Sequence, residues 1–217
     1  MDRLSTIDAA GQVVTAVVFD IGNVLLKWDP RFLFRELLSD EAAVEHFLTE
    51  ICPPSWNLEQ DRGRSWADGV RIQSELYPEH APLIEAWNQR WHETVPGPVE
   101  GMPALVEELV AAGIPLHIIS NFSAEKFNEI RQRYKPLFAC FREIVISAHV
   151  RLVKPQPEIF EHLLSRTGLK PQACVFVDDI KAYAQAAEQA GMRGLVFRGE
   201  APLRQELIAL GLPLERR

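Results

Sequence analysis

Four positions along this sequence carry side chains suited to handling a phosphoryl group: Asp20, Ser120 with Asn121, Lys154, and Asp178 with Asp179. Each stands just after a short apolar run. Asp20 follows Val13 to Phe19, Ser120-Asn121 closes the run that starts at Pro115, and Asp178-Asp179 follows the run from Ala173 to Val177. Lys154 lies in the loop after Ile144 to Ser147. Singly, such residues are ordinary turn formers and helix caps after strands. Together they put an acid, a hydroxyl, a cation and two further acids on one rim, provided the runs are parallel strands of one sheet. Three crowded carboxylates repel one another, and a single lysine offsets only part of that charge. A hard divalent ion with oxygen ligands resolves the conflict, and Mg²⁺ commonly takes one or two carboxylates plus phosphate and water. A carboxylate, a lysine and Mg²⁺ are the components of phosphoryl transfer: an in-line nucleophile with positive charge around the transferring oxygens. With Asp as the nucleophile, hydrolysis divides into formation and breakdown of an aspartyl-phosphate.

The elements that must position these residues are legible in the same pattern. The five runs Val13 to Phe19, Pro115 to Ser120, Ile144 to Ser147, Ala173 to Val177 and Gly194 to Phe197 are short and rich in Val and Ile, as buried strands are. Met102, Leu105, Val106, Leu109 and Val110 form the apolar stripe of an amphipathic helix that Gly113 and Pro115 end. Pro155 to Thr167 repeats the arrangement, with Ile159, Phe160, Leu163 and Leu164 inside and Gly168 at its end. Strand and helix in alternation predict an α/β chain whose parallel sheet is covered on both faces. Between the first run and Gly101 there is no strand pattern, and the segment reads as an inserted helical cap. Asp29-Pro30 offers an N-cap and first helical residue, and turn signals at Cys52-Pro53-Pro54, Arg62-Gly63 and Tyr77-Pro78 divide the region into four helices. Pro96-Gly97-Pro98 reads as the return hinge.

Composition narrows the partners. With 217 residues, 47% hydrophobic and 24% charged, the chain can bury a sizeable core. A net charge of −7 with scattered Lys and Arg provides no basic footprint, so nucleic acid and anionic membranes are not expected partners. Residues Met1 to Gln12 lack the apolar core of a signal peptide, no later run reaches the length of a membrane span, and the chain reads as cytoplasmic. Cys52, Cys140 and Cys174 are odd in number and lack CxxC spacing, which points to buried reduced thiols.

In order and placement the four signals resemble the four motifs of the haloacid dehalogenase superfamily. They are Val-Val-Phe-Asp-Ile-Gly-Asn-Val-Leu at 17–25, Ile-Ile-Ser-Asn at 118–121, Lys154-Pro155, and Val-Phe-Val-Asp-Asp at 175–179. The resemblance spans about Val13 to Phe197 and includes the helical insertion, which looks like that superfamily's first type of cap. It implies a Rossmann-like, doubly wound core of residues 13–27 and 97–217 with a helical cap of residues 28–96. It also implies a Mg²⁺-dependent hydrolase acting on a small-molecule phosphomonoester. Carried over by position, Asp20 would be nucleophile and metal ligand, and Gly22 would offer its carbonyl to the metal. Ser120 and the Asn121 amide would bind phosphoryl oxygens, helped by a helix starting near Ser123. Lys154 would bridge the phosphate and Asp20, and Asp179 would ligate the metal, with Asp178 beside it binding the metal directly or through water.

The sequence departs from the superfamily's phosphatases at Gly22, where most carry a second aspartate that protonates the leaving oxygen and later activates water. Such general acid–base help is typically worth roughly 10²–10⁴ in rate, or about 3 to 5 kcal/mol. The Asp-x-Gly-Asn-Val form resembles a subgroup of sugar-phosphate phosphatases. Two other readings remain open: a metal-independent 2-haloacid dehalogenase, and a phosphate-binding module without turnover. The first conflicts with Gly22, where dehalogenases have an aromatic, and with the retained pair Asp178-Asp179. Val153, Gln156 and Tyr183 are smaller departures.

Trp28, Trp56, Trp66, Trp87 and Trp91 all fall in or beside the cap, where a small helical unit needs bulky core residues and one or two could also stack on substrate. Arg62-Gly63 is the candidate loop for dipping over the site and Arg31 at the cap entrance a candidate for a second anionic group, although a solvated turn and a surface arginine are the favoured readings of the two. The six histidines show no ligand spacing, and His117 within an apolar run reads as a hydrogen-bonded core residue.

Overall fold

The computed structural model describes residues 14–215. Val13, the segment before it for which no signal peptide was expected, and residues 216–217 lie outside the described residues. The chain runs β1 (Ala16–Phe19), then α1 (Arg31–Leu37), α2 (Glu41–His46), α3 (Pro54–Asp61), α4 (Trp66–Leu76) and α5 (Ala81–Gln89) before α6 (Met102–Ala111). The remainder alternates: β2 (Leu116–Ser120), α7 (Ala124–Arg133), α8 (Lys135–Phe138), β3 (Glu143–Ile146), α9 (Ser147–Val150), α10 (Pro157–Thr167), β4 (Cys174–Asp178), α11 (Lys181–Gln189), β5 (Arg193–Val196) and α12 (Glu200–Ala209).

All strand pairings are parallel, in the order β3-β2-β1-β4-β5. The central strands β1, β2 and β4 are fully buried and mostly apolar because both sheet faces are covered there, and alternate residues serve opposite sides, whereas the edge strands β3 and β5 begin at part-buried Glu143 and Arg193. Val17 and Phe19 pack with Leu105, Phe127 and Leu207, whereas Ala16 and Val18 pack with Ile159, Phe160 and Ala187. This is the expected doubly wound α/β sheet. The order places β1 centrally, so the chain leaves it toward β2 on one side and later returns to β4 on the other, which opens a crevice at the carboxyl edge. On α6 the expected stripe is buried except for Val110, which is 43% exposed because it lies at the edge of the arc spanned by the other four.

The insertion contains five α-helices rather than four. The extra break falls between α1 and α2, where Asp40 caps α2 by accepting from the Ala43 amide at 2.9 Å without any Gly or Pro signal. Asp29 does start α1, accepting from the Arg31 amide at 2.9 Å, although the first helical residue is Arg31. Trp87 lies at the centre of the insertion's aromatic core, with ring centroids of Phe34 at 5.3 Å and Trp56 at 5.2 Å. Leaving and returning chains are tied together: Lys27 donates to the Gly97 carbonyl at 2.9 Å, Val99 to that of Leu25 at 3.0 Å, and Leu26 and Pro98 form an antiparallel bridge.

The insertion docks on the core through polar contacts. The Trp66 indole donates to Ser123 Oγ at 2.8 Å and the Trp66 amide to Glu125 at 2.9 Å. The ammonium of Lys126 reaches the Asn88 carbonyl at 2.8 Å, and Ser147 Oγ donates to the Asp61 carbonyl at 2.6 Å. Cys52 and Cys174 are buried free thiols, while Cys140 is partly exposed. His117 is buried, yet its Nδ1 has no hydrogen-bond partner, contrary to expectation. Burial lowers its pKa, so the ring is held neutral and an unprotonated nitrogen costs less than an unpaired N–H. Among the described residues no helix is long and apolar enough to cross a membrane.

Candidate active site

The centre of the site is Lys154, whose side chain is almost wholly buried. Its Nζ lies 2.8 Å from Asp20 Oδ1 and 2.5 Å from Asp178 Oδ2. Burial alone would discharge the ammonium, but Asp20 and Asp178 outweigh it and hold the lysine pKa above its usual value. The rings of Tyr183 and Phe176, with centroids 4.9 and 5.5 Å from Nζ, add a favourable π surface to the same charge. Tyr183 thus has a place, as a wall of the lysine's pocket.

Asp20 extends from β1, its amide still donating to the Val177 carbonyl at 2.9 Å. Carboxylate oxygens of Asp20, Asp178 and Asp179 lie within 4.8 Å of one another. Burial and the charge of Asp20 push both the Asp178 and Asp179 pKa values up, against the pull of Lys154. The carboxylates repel one another, and their all-oxygen donor set fits a hard divalent ion. Asp178 has both oxygens engaged, Oδ2 by Lys154 and Oδ1 by the Ile180 amide at 2.8 Å. Asp179 faces the cavity, as does Gly22.

Asn121 and Ser123 also line this cavity, while Ser120 is buried at the end of β2. Ser123 caps the ten-residue helix α7, so the positive end of that helix faces the cavity. Asn121 turns its side chain toward the Lys154 backbone. Asn23, in the left-handed region at φ 54°, accepts from the Trp28 amide at 2.9 Å and hydrogen-bonds Asp179, linking the cap entrance to the acids.

The cavity measures about 460 Å³ and lies between the sheet edge and the insertion. Its roof includes Trp28, Leu58, Trp66 and Trp91, so three of the five tryptophans reach it while Trp56 and Trp87 stay in the aromatic core. The candidate loop residues do not line it, in keeping with the solvated turn favoured for them. Arg62 is turned to solvent and pairs with Glu59 at 2.6 Å, and Gly63, at φ 105°, packs toward the Ala148 carbonyl of the core. Arg31 is held by Glu45 at 2.6 Å and Asp29 at 3.3 Å and lines a neighbouring pocket instead. The residue that enters is Asp61, one position before Arg62. Burial first, and the charge of Asp20 second, push its pKa up to about 7, against the pull of Lys154 and a hydrogen bond from the Ser123 amide.

Comparison with known proteins agrees with this arrangement. Residues 57–197 match the family model described as haloacid dehalogenase-like hydrolase. A sesquiterpene phosphatase of Aspergillus oryzae is 25% identical over 182 residues, covering 83% of this chain and 88% of that protein. The pyrophosphatase PpaX of Bacillus velezensis is 24% identical over 184 residues, covering 83% and 81%. Among solved structures, a haloacid dehalogenase family enzyme of Bacteroides thetaiotaomicron in complex with magnesium and inorganic phosphate superposes with a TM-score of 0.67. It is 20% identical, with 86% of this chain and 95% of that one covered. With the family model spanning most of its length and the sheet, insertion and strand-end residues arranged as described, the chain belongs to the haloacid dehalogenase-like hydrolases.

Proposed function

We propose that the chain is a Mg²⁺-dependent phosphatase that removes the phosphoryl group from a small phosphomonoester through an aspartyl-phosphate on Asp20. The observation that carries this reading is Asp20 ion-paired to buried Lys154 and grouped with Asp178 and Asp179, with Asp20, Lys154 and Asp179 lining one cavity. Relatives whose names are phosphatase or pyrophosphatase support it, as does the neighbour crystallised with magnesium and phosphate.

In this reading Asp20, the Gly22 carbonyl and Asp179 hold Mg²⁺, which supplies positive charge beside the transferring oxygens. Asp178, with both oxygens engaged, holds Lys154 in place rather than binding the ion directly. Lys154 orients Asp20 and balances charge on the phosphoryl group. The Ser120 hydroxyl, the Asn121 amide and the N-terminus of α7 receive the remaining phosphoryl oxygens. The helical insertion acts as a cap that closes the site from water. Its aromatic roof suits a leaving group with an apolar face, such as the C–H face of a sugar or a hydrocarbon. Small-molecule phosphates, rather than nucleic acid or membranes, are the proposed partners.

Phosphate release from a panel of sugar, prenyl and aryl phosphates, with Mg²⁺ or with EDTA, tests this reading. We expect metal-dependent release that disappears in Asp20→Asn. A wild type silent across the panel, or one releasing chloride from 2-chloropropionate in EDTA, would overturn it.

A further inference from the structure

We propose that Asp61, carried by the cap, is the acid–base residue of this site: it protonates the leaving oxygen and then takes a proton from the attacking water. The proposal rests on the phosphatase reading and answers the question raised by Gly22. In-line displacement puts the leaving oxygen on the side of phosphorus away from Asp20, toward the insertion. A proton donor at Gly22 would rise from the core beside the nucleophile, but glycine has no side chain to offer. Of the described cap residues that line the cavity, Asp61 alone carries a titratable side chain.

Its placement is fixed from both sides of the cavity. The main-chain carbonyl of Asp61 accepts from Ser147 Oγ at 2.6 Å, and Ser147 Oγ in turn accepts from the Phe122 amide at 2.9 Å. Its carboxyl accepts from the Ser123 amide and, at 3.3 Å, from the side-chain amide of Asn57 one turn earlier on α3. The core thus sets the position of a residue that lines the cavity. A carboxyl that shuttles protons near neutral pH must have its pKa raised toward that pH. Burial and Asp20 do so here, with Lys154 opposing them from the core and Arg62, the next residue on the cap, facing away.

The proton and bond balance closes. In the first step an Asp20 oxygen bonds to phosphorus, the phosphorus–leaving oxygen bond breaks, and the Asp61 proton passes to that oxygen, giving the alcohol and an Asp61 carboxylate. In the second, water oxygen bonds to phosphorus, its proton returns to Asp61, and the Asp20–phosphorus bond breaks to release inorganic phosphate.

The test compares two esters of similar shape, p-nitrophenyl phosphate and benzyl phosphate, with Asp61→Asn. Nitrophenolate leaves without a proton, whereas the benzyl alkoxide does not. We expect kcat/KM for benzyl phosphate to fall roughly 10²–10⁴-fold while that for p-nitrophenyl phosphate falls less than about tenfold. Acid-quenched Asp61→Asn should retain more covalent phosphate than wild type, and Asp61→Glu should recover part of the benzyl phosphate activity. Because the ratio of the two esters is read in one protein sample, a general loss of folding cannot imitate it. Equal losses on both esters, or no loss on either, overturn the role of Asp61 while leaving the phosphatase reading intact. A wild type inactive on both esters overturns that reading and the role of Asp61 with it.

Discussion

Asn121 and Lys154 grip each other through two antiparallel hydrogen bonds: the Lys154 amide donates to Asn121 Oδ1 at 2.7 Å, and Asn121 Nδ2 donates to the Lys154 carbonyl at 3.1 Å. The loop after β3 is thereby latched to the end of β2, which sets where the lysine backbone begins its reach to Asp20. A side chain first read as a phosphate contact through its backbone is therefore also a positioning device for the site's cation.

Asn121→Ala removes both bonds and leaves a part-buried amide and carbonyl unpaired. We expect a stability loss of about 1–3 kcal/mol, measured by urea unfolding, and a lower kcat with little change in KM. A KM effect alone would contradict the positioning role.

Lys154→Met deletes the charge that Asp20 and Asp178 share. Removing one partner of a buried ion pair costs about 3–5 kcal/mol, and we expect unfolding in EDTA to show a loss of that order. Added Mg²⁺ should recover part of the stability without recovering phosphate release.

Metal binding itself should be visible as stabilisation. At a Mg²⁺ concentration about 100 times Kd the gain is about 2.7 kcal/mol, which for a chain of this size raises Tm by roughly 5 to 10 °C. Thermal melts with and without EDTA measure it, and Asp179→Ala should flatten the response.

The Asp61 carboxyl makes stability in EDTA depend on pH. Its folded pKa of about 7 stands above that of the unfolded chain, so the folded state binds the extra proton, and stability is lost as pH rises through the interval up to about 7. Asp61→Asn removes that loss. It should be more stable than wild type above pH 7 by an amount on the order of 1–3 kcal/mol once partial exposure is allowed for. The difference should vanish toward pH 4, as melts across pH in EDTA would show.

Gly22 has room for an aspartate side chain. A Cβ there meets only Asp20 Oδ2, at 4.0 Å, and the backbone is not in the left-handed region. Gly22→Asp placed in the Asp61→Asn background should raise kcat/KM for benzyl phosphate at least about tenfold.

The strand ends were legible in the sequence because the three central strands are buried on both faces, so the polar residue that ends or follows each apolar run marks the sheet's edge. Asp20, Ser120 and Asp178 are all found that way. Lys154 was visible through the loop that carries it. Asp61 had no such signal. It ends a helix in the insertion, and the core brings it to the site through Ser147 on its carbonyl and the Ser123 amide on its carboxyl. Turn chemistry marks only Arg62-Gly63, which stays out of the cavity. One residue along a helix rotates a side chain by about 100°, and that step separates the carboxyl in the cavity from the guanidinium in solvent. The fifth helix of the insertion was hidden for a similar reason, its boundary being an aspartate cap rather than a glycine or proline.

The bridge between Leu26 and Pro98 closes the core across the point where the chain leaves it and returns. Because both crossings of the boundary are hydrogen-bonded side by side, the core is already stitched shut across the gap. What lies beyond the stitch is a replaceable module whose ends meet at one point. Exchange of that module would alter the roof, and with Asp61 in it the proton chemistry too, without disturbing the strand order beneath.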